Sequence, residues 1–181
     1  SPGTQRLFLK RGDTEMLVLP ASGLQLGLVG AVMPSINYDP VYILDGVPGT
    51  SPADLNWVSP TGVTVRPDGE TVSLELVYGD NGVGRLDVLP IGEDRLTLRL
   101  TPPEGAQVAF MRIRGQVDDQ EAFYGLGEVF DDVNHRGKIR PMQLILDTNI
   151  ESSNNEAHVP IPFLIGHHGW GLFVESLYPG V

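Results

Sequence analysis

Apolar and polar residues alternate along most of the chain with the period of two that a half-buried β-strand requires. The stretch TVSLELVY (71–78) shows the pattern, and RLTLRL (95–100) repeats it with Leu96, Leu98 and Leu100 expected to face the core. Similar apolar segments recur at intervals of about ten residues, which is typical of an all-β chain. We predict about eleven strands, at residues 16–20, 24–30, 41–46, 62–67, 71–78, 84–90, 95–100, 108–115, 142–147, 161–166 and 171–176.

Turn signals separate the predicted strands. The segments RPDGE (66–70) and GDNGVG (79–84) suit tight hairpins, because Asn and Gly tolerate positive φ. No window of eleven or more residues carries a helical apolar stripe, so the βαβ alternation of a parallel sheet is not expected. A single turn at 118–123, capped by Asp118 or Asp119, is the only helix we predict. The pattern therefore predicts a two-sheet antiparallel β-sandwich.

Composition agrees with this fold and excludes some partners. A chain of 181 residues with 41% apolar content is long enough for one sandwich domain, residues 1–181, and 22 glycines and 15 prolines favour strands and turns over helices. The formal charge of -11 repels phosphate backbones and anionic membranes, so neither nucleic acid nor a membrane is an expected partner. Without cysteine there is no disulfide or thiolate site, which leaves the cellular compartment open.

Histidines are the first candidates for chemistry near neutral pH. His167 and His168 are adjacent in a strand-like stretch, so we expect their side chains to point to opposite faces and not to share a metal ion. The spacing of a zinc site is absent, and no metal or other cofactor is expected. His135 and His158 are isolated loop residues, for which structural or solvated roles are predicted.

Acidic pairs and short catalytic motifs give no stronger signal. Asp118-Asp119 and Asp131-Asp132 lack the alternating order of a calcium loop, so solvated turns are the simpler interpretation. The chain contains no G-x-S-x-G, Walker or H-E-x-x-H motif. Glycosidase chemistry needs two carboxylates facing one sugar bond, and their proximity cannot be read from composition.

Four short motifs occur in order between residues 123 and 176. They are FYGLGE (123–128), NHRG (134–137), PIPFLI (160–165) and GWGLFVES (169–176). Together they resemble the amino-terminal domain of glycoside hydrolase family 31, the α-glucosidase and α-xylosidase family. The resemblance implies a galactose-mutarotase-like β-sandwich placed before a (β/α)8 barrel that carries the catalytic aspartates of a retaining hydrolase.

The nucleophile motif of that family, similar to W-x-D-M-N-E, does not occur in this chain. The chain also lacks an initiator Met and the βα alternation needed for a barrel. We therefore expect an excised amino-terminal domain with no catalytic residues of its own, inactive alone, whose partners are the barrel domain and, through the parent enzyme, an α-linked glycoside.

The resemblance also implies a substrate-binding loop at residues 147–158. Asp147 takes the position of a family aspartate that accepts hydrogen bonds from a sugar hydroxyl, a task suited to a carboxylate. Asn149, Glu151 and Asn155 share the loop and are further candidates for the same pocket. The alternative for Asp147 is the capping of a turn at the end of a strand.

Gly125 and Gly127 flank Leu126 in the first motif. We expect them to allow positive φ or a close approach of a neighbouring strand, which a Cβ would prevent. Glu128 and Arg136 are expected to pair, or to bind main-chain groups, at the same corner in a structural role.

Two further functions remain open at this point. A free-standing carbohydrate-binding or mutarotase-like domain would use a His and a Glu for proton exchange, with His158 or His135 and Glu151 or Glu128 as candidates. A purely structural sandwich serving as an adhesion or interaction module is the third, because fold alone does not determine function.

Overall fold

The computed structural model describes residues 5–29, 55–129, 131–140, 142 and 157–176. In these residues all regular structure is β-strand apart from two short 3-10 turns, at Ala21–Gly23 and Gly79–Asn81. The strands are β1 (Arg6–Arg11), β2 (Thr14–Pro20), β3 (Leu24–Val29), β4 (Leu55–Val58), β5 (Gly62–Asp68), β6 (Thr71–Val77), β7 (Val83–Ile91), β8 (Arg95–Thr101), β9 (Val108–Ile113), β10 (Phe123–Val129), β11 (Ala157–Gly166) and β12 (Trp170–Phe173).

The described residues form two compact units, divided after Gln116. In the first unit β1 pairs with β2, and two larger sheets have the strand orders β4-β3-β9 and β5-β6-β7-β8. The second unit contains one sheet in the order β10-β11-β12. Every one of these strand pairs is antiparallel. The all-β, antiparallel fold class predicted from the sequence is therefore confirmed, and the single domain over 1–181 stays a prediction.

The core of the first unit lies between its two larger sheets. Leucines of β3 pack against the inward-facing residues of β6 and β7, and the alternation predicted for 71–78 is the alternation observed in β6. The Tyr78 hydroxyl donates a hydrogen bond of 2.9 Å to the Leu24 carbonyl oxygen, which links the two layers. Burial of this phenol raises the pKa of Tyr78 to about 12. The buried cluster consists of Leu24, Leu26, Leu74, Leu76, Tyr78, Leu86 and Val88.

Both predicted hairpins are present. In the hairpin between β5 and β6, Asp68 pairs with Thr71 and Gly69 has a φ of 60°. In the hairpin between β6 and β7, positive φ falls on Gly79 and Gly82, and Asn81 contributes a side-chain hydrogen bond to the Tyr78 carbonyl instead. Glycine therefore supplies the left-handed backbone at both turns, because its missing Cβ removes the steric cost.

Several sequence predictions need correction. Leu96 was expected to face the core but is 48% exposed, because it lies beside the β7–β8 turn at the end of edge strand β8, beyond the buried cluster. The turn predicted at 118–123 is present and Asp118 caps it, with its Oδ1 accepting from the Gln120 amide at 2.8 Å, but the turn is not helical. Strands β1, β4 and β10 were not predicted, and the segments 41–46 and 143–147 lie outside the described residues.

The sheet of the second unit has an irregular centre. Its middle strand β11 contains Pro160 and Pro162, which cannot donate to a ladder and are tolerated near bulges. The register of β10 against β11 shifts twice, on either side of Gly127. In the described part of the chain, no helix is long and apolar enough to cross a membrane.

Candidate functional site

The Gly-Leu-Gly sequence of β10 forms a sharp, irregular corner. Gly125, Leu126 and Gly127 have φ values of 95°, 62° and 95°, so three successive residues are left-handed. Leu126 is the only residue other than glycine with positive φ among those described. A Cβ on Gly125 would overlap the Phe163 carbonyl oxygen, and one on Gly127 would overlap main-chain atoms of β11. Both expected roles of the glycines, positive φ and close approach, are therefore confirmed.

The NHRG loop is bound to this corner through His135. The amide of His135 donates to the Phe123 carbonyl at 2.8 Å, and its Nε2 lies 2.9 Å from the Gly125 carbonyl oxygen. Arg140 Nε donates to His135 Nδ1 at 3.1 Å, and both side chains are buried. Because a carbonyl can only accept and Arg can only donate, these partners specify the neutral tautomer with the proton on Nε2. His135 is therefore a structural residue, as predicted.

The loop is closed by a cluster of charges around Asp131. Arg140 Nη2 donates to Asp131 Oδ1 at 2.6 Å, and Lys138 Nζ donates to Asp131 Oδ2 at 2.8 Å. Lys138 also lies 3.2 Å from Asp132. Hydrogen bonds from Lys138 and then Arg140 hold the pKa of Asp131 far below its usual range. The Asp131-Asp132 pair thus neutralises protein cations, which argues against its use as a calcium site.

Arg136 binds main-chain carbonyls and does not pair with Glu128. Its Nη1 donates to the carbonyl oxygens of Glu121 at 2.6 Å and Asp118 at 3.2 Å. Its guanidinium carbon lies 5.8 Å from the centre of the Phe123 ring. Glu128 is exposed on β10. Of the two structural roles expected for Arg136, main-chain binding is the one observed, because its side chain turns toward the 118–121 turn.

A buried carboxylate lies next to the β11–β12 turn. Glu121 is 1% exposed, and its Oε1 accepts a hydrogen bond of 2.6 Å from the Trp170 indole N–H. The Phe123 and Trp170 rings meet edge to face at 6.1 Å. A Cβ on Gly166 would overlap both the Trp170 ring and the Glu121 carboxylate, so this glycine makes room for the pair. No sequence pattern identified Glu121.

The two adjacent histidines converge, contrary to the sequence prediction. His167 and His168 lie in the turn between β11 and β12, not in a strand, so the strict alternation of side chains does not apply. Their ring centres are 4.0 Å apart. His168 Nδ1 is 3.8 Å from Glu121 Oε1, and His167 Nδ1 accepts from the Ala122 amide at 2.9 Å. One potential ligand atom from each of Glu121, His167 and His168 lies within 4.8 Å of the others.

The substrate-binding residues predicted from the resemblance lie outside the described residues. They are Asp147, Asn149, Glu151 and Asn155. What the structure does describe is the far end of their loop, where β11 begins at Ala157 and pairs with Val129 of β10.

The described residues are all-β with antiparallel sheets, and the second unit combines a glycine-rich strand with a buried polar network. A family model for the glycosyl hydrolase 31 N-terminal galactose mutarotase-like domain matches residues 63–180. The chain belongs to this family. Comparisons with curated proteins and with solved structures gave no match.

Proposed function

We propose that this chain is the non-catalytic amino-terminal β-sandwich domain of a retaining α-glycosidase. In this proposal its 147–158 loop contributes to a sugar pocket that is supplied mainly by a (β/α)8 catalytic domain. The observation that carries the proposal is the family match over residues 63–180, which includes the whole loop. The substrate is then an α-linked glycoside, bound through the parent enzyme.

The described residues supply a rigid base for one end of such a loop. The loop leads into β11, which pairs with β10 on one side and β12 on the other. The NHRG segment holds β10 through the hydrogen bonds of His135 to Phe123 and Gly125. A binding loop carried by a fixed strand keeps its polar groups in place at lower entropic cost than a loop without such support.

Substitution of Asp147 is a direct test of the proposal. A carboxylate accepting from sugar hydroxyls forms a charge-assisted hydrogen bond, and losing a bond of that kind costs about 1.5–3 kcal/mol. In the intact parent enzyme, Asp147→Ala should therefore lower kcat/KM on an α-glucoside or α-xyloside by roughly 10- to 150-fold.

Asp94→Ala is the matched control, because Asp94 is an exposed residue in the β7–β8 turn. It should leave kcat/KM unchanged. Equal kinetics for Asp147→Ala and the control would instead support the turn-capping role of Asp147. The isolated chain should not hydrolyse p-nitrophenyl α-glucoside or α-xyloside, and turnover by this chain alone would contradict the non-catalytic assignment.

The free-standing mutarotase-like alternative loses one of its candidate bases. His135 is buried and both its ring nitrogens are engaged, by Gly125 and by Arg140, so it cannot exchange protons with a sugar without breaking that network. Titrating glucose or galactose into the chain, with backbone amide signals followed by NMR, tests what remains of this alternative. Specific, saturable shifts would favour it over the multidomain proposal.

A further inference from the structure

We propose that Glu121, His167 and His168 form a binding site for a divalent transition-metal ion, with Zn²⁺ as the best-fitting probe. The site joins the segment before β10 to the β11–β12 turn. It is independent of the sugar-binding proposal, because none of its three residues belongs to the 147–158 loop.

The first argument is the burial of Glu121. Its side chain is 1% exposed, and the neutral indole N–H of Trp170 is its hydrogen-bond donor at 2.6 Å. An ionised carboxylate withdrawn from water is costly unless a cation compensates for the lost hydration. Arg136 Nη1 is occupied by the main-chain carbonyl oxygens of Glu121 and Asp118. A metal ion held between Glu121 and the histidines would supply a compensating positive charge.

The second argument is geometric. Zinc lies about 2.0–2.2 Å from its nitrogen and oxygen ligands, so two ligands on a tetrahedral ion are about 3.3–3.5 Å apart. Glu121 Oε1 and His168 Nδ1 are 3.8 Å apart, and the three ligand atoms all lie within 4.8 Å. Both imidazoles are exposed, so a small rotation of either ring closes the remaining gap without disturbing a packed core.

The third argument is the support behind the ligands. The Trp170 indole N–H fixes one oxygen of the carboxylate, in the way that outer hydrogen-bond partners orient metal ligands. Gly166 and Gly169 shape the turn: a Cβ at the first would overlap Glu121, and the second has a φ of 92°. The turn is also held by the His167 amide, which donates to the Ala122 carbonyl at 3.1 Å.

His167 differs from the other two ligands. Its Nδ1 accepts a hydrogen bond from the Ala122 amide at 2.9 Å, and coordination must replace that bond. Glu121 and His168 are therefore the principal ligands, and His167 is the third, weaker one. Water completes the coordination, as in zinc sites with three protein ligands and an open position. Two imidazoles and one carboxylate favour zinc, nickel or copper over magnesium and calcium, which prefer oxygen ligands.

The test is calorimetric titration of the whole chain with ZnCl₂ in a non-coordinating buffer near neutral pH. We expect one Zn²⁺ per chain and no detectable binding of Mg²⁺. Mutating an outer hydrogen-bond partner of a metal ligand already lowers affinity by about tenfold or more. Glu121→Gln and His168→Asn remove proposed ligands themselves, so each should weaken Zn²⁺ binding by more than about tenfold. His167→Asn should weaken it less. Glu128→Gln, at an exposed glutamate of β10, is the matched control and should bind as the unmodified chain does.

A second readout keeps the proposal testable if Glu121→Gln fails to fold. The Trp170 indole N–H signal, observed by NMR in the unmodified chain, should shift on addition of Zn²⁺ because its acceptor becomes a metal ligand. His168 is exposed, so His168→Asn should fold and should lose this shift. The proposal would be overturned if Zn²⁺ does not bind, if His168→Asn retains full binding, or if Glu128→Gln loses as much binding as His168→Asn.

Discussion

Replacing Gly127 with alanine should destabilise the second unit far more than the same change at Gly137. Both glycines have positive φ, 95° and 73°, so alanine meets backbone strain at either position. Only at Gly127 is the space for a Cβ already filled. There the added carbon would overlap the Val159 carbonyl oxygen and lie 2.8 Å from the Ile161 amide nitrogen, whereas at Gly137 nothing lies within 4 Å.

The magnitudes follow from separating these two effects. A left-handed conformation costs an L-residue about 1–2 kcal/mol. Forcing an extra carbon into filled space adds about 1–3 kcal/mol. Gly137→Ala should therefore lower the free energy of unfolding by about 1–2 kcal/mol and Gly127→Ala by about 2–5 kcal/mol. The difference between the two variants measures the close approach of β10 to β11.

Urea denaturation of the whole chain is the assay, followed through the NMR signal of the Trp170 indole N–H, since Trp170 belongs to the sheet that contains Gly127. The urea midpoint should fall further for Gly127→Ala, with the slope unchanged. If the two variants lose the same stability, the cost is φ strain alone, and the argument that β11 lies too close for a Cβ is refuted.

Three further predictions concern stability. Because burial raises the pKa of Tyr78 from 10.0 to about 12, the free energy of unfolding should hold below about pH 10 and fall by about 2–3 kcal/mol as the pH rises to about 12. Tyr78→Phe should remove this alkaline loss, and urea midpoints that keep the same pH dependence would contradict the assignment. Because hydrogen bonding, chiefly from Lys138, lowers the pKa of Asp131, its contribution should be present above about pH 4 and disappear as the pH falls further. Asp131→Asn should flatten that acid limb in a pH series of thermal melts, and an unchanged limb would argue against the cluster. Finally, Leu86→Ala should cost about 2–5 kcal/mol because Leu86 is fully buried, whereas Leu96→Ala should stay within about 0.5 kcal/mol; similar losses by calorimetry would contradict the observed core.

The strands that could be predicted are those in which apolar and polar residues alternate because one face of the strand is buried and the other is more exposed. In β6, apolar positions face the opposite sheet of the first unit, and the sequence pattern matches the burial closely. The same rule fails for Leu96, because alternation gives the face of a strand but not how far the core extends along it. β10 was missed because its glycines carry no side-chain signal, although they determine its backbone.

The buried polar groups were beyond sequence reasoning for a different reason. Glu121 and Arg140 acquire their roles from residues far along the chain or across a loop, Trp170 in one case and His135 in the other. The apolar and polar pattern of the sequence around Glu121 and Arg140 gives no signal of these contacts. The two adjacent histidines were predicted to point to opposite faces because side chains alternate along a strand. Strand β11 ends at Gly166, however, and both histidines lie in the three-residue turn that follows.

The family resemblance succeeded where local patterns did not, because four motifs in fixed order constrain the chain more than any single one. Its first motif, residues 123–128, contains the left-handed run 125–127. Tight backbone approaches tolerate few residue types, so they leave a readable trace in sequence. The proposed sugar-binding residues lie outside the described part of the chain, and their role rests on the resemblance and the family match.

A crystal structure of the intact parent enzyme with a bound α-glycoside analogue tests the central claim most directly. The proposal predicts a sugar hydroxyl donating to the Asp147 carboxylate at about 2.5–2.7 Å, the length of a charge-assisted O–H···O⁻ bond, with the catalytic carboxylates supplied by another domain. A sugar bound with no residue of 147–158 in contact with it would contradict the account.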